Sequence, residues 1–174
     1  MEYSFVLRFK LAEGSADSND LVERLGEAGC DDALVGIGQP GRIALNFTRE
    51  AKFARQAFVS ALEDVRRAIP NAELIEASPD LAGLTDIAEL VGVTRQNMRK
   101  LMVSHARTFP APIHEGSVSL WHLAPVLEWL GAQAGYEIER ALIEISRMAM
   151  RINVAKESRR LKPPVEERIR ALVA

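Results

Sequence analysis

Residues 84–103 read LTDIAELVGVTRQNMRKLMV, and the spacing of small and apolar residues there predicts two helices joined by a tight turn. Thr85 is expected as the N-cap of the first helix. Ile87, Leu90 and Val91 supply its buried stripe. Ala88 falls where the two helices cross closely, so its side chain has to be small. Gly92, four residues on, allows the positive φ that a sharp turn needs and that other residues adopt only at a cost. Val93 plugs the core, Thr94 caps the second helix, and Met98 and Leu101 are its inward positions. These are the requirements of a helix-turn-helix.

The outward positions of the second helix are then Arg95, Gln96, Asn97, Arg99 and Lys100. Arg and Lys can donate to guanine O6 and N7, and Gln or Asn can pair with adenine N6 and N7, so this chemistry suits the major groove of duplex DNA. Residues near the N-terminus of such a helix usually reach base edges. Arg95, Gln96 and Lys100 are therefore expected at bases. Arg99 and Arg107, with Asn97 and Ser104, are expected at phosphates.

Downstream, Phe109-Pro110-Ala111-Pro112-Ile113 reads as an extended segment, because Pro fixes its own φ and restrains its predecessor. Glu115-Gly116-Ser117 is a turn, and Val118 to Trp121 alternates as a strand, completing a small hairpin. Leu123, Val126, Leu127 and Leu130 mark a closing helix, with Trp129 a partner for Trp121. The run LTDIAELVGVTRQNMRKL, followed by FPAPI and SLWHLAPVLEWL, resembles the AlpA/excisionase-type winged helix-turn-helix within the broad MerR-like group. The likeness covers residues 84–130. It implies sequence-specific DNA binding, in transcriptional control or as a recombination accessory, with contacts from Thr94, Arg95, Gln96, Asn97, Arg99 and Lys100 and from the wing near His114 to Ser117. The wing tip departs from the pattern: it has no Arg or Lys, and Glu115 would repel phosphate. His122 stands where such domains often carry an Arg.

Upstream, Tyr3 to Leu11 alternates and is rich in β-formers, which predicts a strand. Glu13 to Asn19 reads as a polar loop. Leu21, Val22, Leu25 and Ala28 recur at helical spacing, with Gly29 ending the helix. Ala33 to Ile37 and Arg42 to Thr48, joined at Gly38-Gln39-Pro40-Gly41, read as a hairpin. Ala54, Ala57, Phe58, Ala61, Leu62, Val65 and Ile69 form an amphipathic helix that Pro70 stops. Residues 72–77 fit a last strand. The order β-α-β-β-α-β is that of a ferredoxin-like sandwich. The expected fold is thus α+β: a ferredoxin-like unit over 1–78, a linker over 79–83, a winged helix-turn-helix over 84–131, and a helical segment over 136–174.

In that last segment Ile138, Ala141, Ile145, Met148 and Ile152 step 3, 4, 3, 4, an a/d pattern that predicts a dimer seam. A homodimer suits DNA binding, because two copies reading half-sites multiply specificity. Lys162-Pro163-Pro164 breaks the helix, and a short helix follows.

Charge is uneven. Residues 1–80 carry 9 basic and 14 acidic side chains, residues 81–130 four of each, and residues 131–174 nine basic and six acidic. DNA affinity depends on local charge, so the acidic first unit is a poor DNA surface and is left the task of sensing a small ligand or holding a protein partner. Cys30 is the only cysteine, which excludes an intramolecular disulfide. His105, His114 and His122 lack metal-ligand spacing, so no metal and no cofactor is expected. The glycines at 36, 38 and 41 join two strands and read as a turn, not a phosphate cradle. Asp31-Asp32 reads as a solvated pair, and Asn46-Phe47-Thr48 as a chance glycosylation match. No signal peptide and no apolar run of membrane-spanning length is visible, so a cytoplasmic, non-enzymatic protein is expected. The alternative is a phage or recombination accessory, or an antitoxin-like adaptor, acting mainly through protein contacts.

Overall fold

The computed structural model describes residues 1–12 and 17–173. The chain is α+β, with a four-stranded antiparallel sheet and seven helices among the described residues. The expected loop Glu13 to Asn19 falls partly on residues 13–16, which lie outside them.

The first 78 residues run β1 (Glu2–Lys10), α1 (Ser18–Glu27), β2 (Ala33–Gly36), β3 (Arg42–Glu50), α2 (Ala54–Ala68) and β4 (Glu73–Ser78), and the sheet order is β2-β3-β1-β4. The period-2 pattern decides which face is buried. Tyr3, Phe5, Leu7 and Phe9 of β1 and Ile43, Leu45 and Phe47 of β3 all point under the helices. The register places Phe5 opposite Phe47, with ring centroids 5.2 Å apart, and Phe58 of α2 closes on Phe5 at 4.2 Å. The alanines at 54, 57, 61 and 68 let α2 lie close to the sheet.

The acidic pair Asp31-Asp32 is not wholly solvated. Arg49, 8% exposed, donates from Nε to Asp32 at 2.7 Å and from Nη1 to Asp64 at 2.8 Å, and also reaches Ser60 and the Gly29 carbonyl. Burial works against the Arg49 charge, but the bonds to Asp32 and Asp64 outweigh it and raise its pKa. Cys30 is buried against this cluster; burial, followed by the Asp64 charge, pushes its thiol up to about 11, leaving it a packing residue.

The segment 79–83, expected as a linker, is ordered structure. β5 (Leu81–Ala82) pairs antiparallel with β6 (Trp121–His122). Asp80 is 1% exposed. One of its carboxylate oxygens meets His122 Nδ1 at 2.7 Å, and the other accepts from Asn153 Nδ2 at 2.8 Å. The Asn153 amide also closes on the backbone of Ala77, accepting from its N–H at 2.9 Å and donating to its carbonyl at 2.8 Å. One buried amide therefore joins β4, the 79–83 segment and the helix that carries it.

That helix corrects the expected dimer seam. α5 (Leu123–Gln133) is followed by α6 (Arg140–Ser158), so the helix starts at 140 and not 136. Ala141, Ile145 and Ala149 are buried in the same core as the sheet, and Met148 and Ile152 lean on that core. Ile138, with Leu142 and Ile143, packs on a second core around Trp121 and Trp129. Four of the five stripe residues lie on α6 and the fifth, Ile138, just before it; they are apolar because this segment is a wall shared by two cores. Tyr3 fastens it to β1, its hydroxyl donating to Glu144 at 2.7 Å; the bond holds the Glu144 carboxyl below its usual range and lifts the Tyr3 phenol. The last helix, α7 (Glu167–Leu172), buries none of its residues. Among the described residues no helix is long and apolar enough to cross a membrane.

Candidate nucleic-acid interface

α3 (Leu84–Leu90) and α4 (Arg95–Ser104) are the two helices read from residues 84–103. α3 begins one residue before Thr85: Gly83 is its N-cap, and Asp86 accepts from the Gly83 N–H at 2.7 Å. An acid in the first turn also suits the helix dipole. Ile87 and Ala88 are buried, but Leu90, expected in the stripe, is 45% exposed. Gly92 has φ +71°, and Val93 N–H returns to the Ala88 carbonyl at 2.9 Å, which folds the chain back toward α3. Thr94 is the N-cap of α4, its Oγ1 accepting from Asn97 N–H at 3.2 Å. Met98 is fully buried and Leu101 half-buried. Thr94→Ala is expected to cost about 1 kcal/mol, the usual worth of such a cap, read as a lowered urea midpoint with an unchanged slope. A midpoint equal to wild type would show that the cap carries no weight.

Met102 also leans on the second core, and the polar α4 positions stand clear of the protein. Arg95, Gln96, Asn97, Arg99 and Lys100 are all exposed, as is Arg107 in the turn that follows. None of the cations Arg95, Arg99, Lys100 and Arg107 has a hydrogen-bond or ion-pair partner among the described residues. Elsewhere in the chain Arg8, Arg49, Arg140, Arg147 and Arg160 are paired with carboxylates. Arg95 and Arg99, one turn apart, share a side of α4. They line a cleft of about 510 Å³ that faces Ser117, Val118 and Ser119 across from the helix. Ser104 is less available than expected, since its hydroxyl donates to the Leu101 carbonyl at 3.0 Å and closes the helix end.

The second side of the cleft is the predicted hairpin in shortened form. Ile113 N–H reaches the Leu120 carbonyl at 2.8 Å, Leu120 N–H reaches the His114 carbonyl at 3.0 Å, and only one isolated bridge, His114 to Leu120, is formed. The strand beyond it pairs with β5 instead. Behind the cleft, Phe109 sits edge-on to both Trp121, at 6.3 Å, and Trp129, at 5.0 Å. The two indoles expected as partners are thus joined through Phe109. Trp121 Nε1 donates to the Pro110 carbonyl at 3.0 Å, which anchors the extended Pro segment.

The structure brings Thr94, Arg95, Gln96, Asn97, Arg99 and Lys100 together on one helix, with Arg107 beyond its end, and sends Ile138, Ala141, Ile145, Met148 and Ile152 to the interior. Sequence reading missed the set that fixes this helix pair relative to the sheet: Asp80, His122 and Asn153. The only local sign was His122 at an expected Arg position. Among the described residues no group of three or more His, Cys, Asp or Glu is placed to hold a metal ion. Comparison with family models, curated proteins and solved structures finds no match for the chain.

Proposed function

We propose that this protein binds duplex DNA in a sequence-dependent way, with α4 entering the major groove. In this reading residues 84–131 act as a winged helix-turn-helix of the AlpA/excisionase-type, MerR-like kind, and residues 1–78 act as a ferredoxin-like unit that senses a ligand or holds a protein partner. The protein works as a cytoplasmic regulator by binding and not by turnover. The observation that carries the reading is the row of exposed donors on α4, where Arg95, Arg99 and Lys100, none with a partner among the described residues, stand beside Gln96 and Asn97 on one helix. Unpaired cations with no carboxylate to satisfy them favour a polyanion, and interleaved Gln and Asn side chains add base-edge recognition. Arg95 and Arg99 line the side of α4 that faces the hairpin, so the strand that flanks the groove passes through that cleft. The Ser117 and Ser119 segment, and not a basic wing tip, meets it from the other side.

Selection of bound sequences from random duplex DNA at low salt tests this directly. Enrichment of one short motif is the expected result, and enrichment of an inverted repeat would add that two copies read it together. A pool left unenriched, with no shifted complex, would sink the reading.

A further inference from the structure

The two edges of the four-stranded sheet are treated differently. At the β4 edge the outward backbone groups are taken: Asn153 bonds both the N–H and the carbonyl of Ala77, and Lys156 Nζ donates to the Ile75 carbonyl. Among the described residues the β2 edge has less cover: the Ala33 N–H bonds the Cys30 carbonyl at 3.1 Å, while the Ala33 carbonyl and both backbone groups of Val35 have no partner. Thr48 N–H bonds the Asp32 carbonyl at 3.0 Å, so by antiparallel alternation Leu34 and Gly36 bond inward to β3 while Ala33 and Val35 turn their backbone outward. Exposed edges are usually guarded by charge, proline or a bulge. Residues 33–38, ALVGIG, contain no charge and no proline, and Leu34 is 77% exposed.

We infer that β2 pairs antiparallel with β2 of a second copy, about a two-fold axis at Val35, to make one continuous sheet. In this register Val35 exchanges both backbone bonds with its counterpart, and Ile37 N–H of each copy meets the Ala33 carbonyl of the other, about four bonds in all. Side-chain fit favours a second copy over a foreign strand. Leu34, the most exposed large residue of the edge, falls opposite Gly36 of the other copy, and this happens twice. Gly36 borders an empty hollow of about 340 Å³ on the open sheet face, beside Ala44 and Ile75, which a leucine side chain can enter. The paired run opposes no like charges. Five residues a side bury less than the roughly 1,200 Å² of a standard stable interface, so the dimer is transient and needs high protein concentration.

The test is sedimentation of the full chain without DNA, across about three decades of concentration up to about 0.5 mM, so it is independent of the DNA reading. Wild type is expected to shift reversibly from monomer to dimer, with the Val35 amide exchanging more slowly as dimer forms. Val35→Pro removes an outward N–H that the sheet does not use, and is expected to weaken the dimer at least about tenfold while leaving circular dichroism unchanged. Leu34→Lys, at an exposed side chain, serves as a second variant and is expected to do the same. Wild type remaining monomeric throughout, either folded variant dimerising as wild type does, or a dimer with unchanged Val35 exchange would each overturn the inference.

Discussion

Asn153→Leu is expected to lower the free energy of unfolding by about 3–5 kcal/mol. The side chain is nearly isosteric, so packing is roughly kept and the loss is one of partners. The substitution leaves the Ala77 N–H and carbonyl and one Asp80 oxygen without their bonds, all in buried positions. An orphaned buried backbone group costs about 1–3 kcal/mol, and a buried carboxylate costs more. The chain also carries its own reporter of where the damage spreads. Both tryptophans, Trp121 and Trp129, belong to the second core and none belongs to the first. In urea, wild type is expected to lose indole fluorescence and far-ultraviolet dichroism together. In the variant the fluorescence is expected to change first, because the 79–83 segment no longer ties the second core to β4. A variant within about 0.5 kcal/mol of wild type, with coincident traces, would mean that this amide is not the tie between the cores.

The second large effect concerns the proposed reading helix. Arg95→Ala with Arg99→Ala is expected to weaken binding to the selected DNA about 100-fold or more. The two single variants separate the roles. Arg95→Ala should cost about 1–3 kcal/mol and relax discrimination at one base position. Arg99→Ala should weaken all sequences alike and reduce the salt slope by about one. Neither arginine has a partner among the described residues, so both variants should melt as wild type does. An unchanged affinity in the double variant would remove α4 as the contact surface, even if DNA binding itself were confirmed.

Local periodicity accounts for what was legible in the sequence. Tyr3, Phe5, Leu7 and Phe9 alternate, and the α2 stripe repeats at 3 and 4, so those elements lie where they were read to within a residue or so. Gly92 at φ +71° and the Thr94 cap follow from side-chain chemistry confined to a few neighbouring positions. The stripe on α6 was legible as a buried face, but periodicity does not say what buries it. A subunit seam and a wall between two cores require the same spacing, and the choice is made by tertiary neighbours far away in sequence. The same holds for Asn153 and Asp80, which are 73 residues apart. Two polar residues, each unremarkable among its neighbours, acquire meaning only once the fold brings them within 2.8 Å.

The shared wall also limits how the polypeptide can be taken apart. Severing it between Ser78 and Gly83 would not liberate two working pieces. The amino-terminal piece would be stripped of Ala141, Ile145 and Ala149, which complete its interior. The carboxyl-terminal piece would keep that greasy helix but have nothing to lay it against. Transplanting the α3–α4 pair onto another scaffold would therefore require carrying α6 along, repainted with polar side chains on the flank that now rests on β1 and β4.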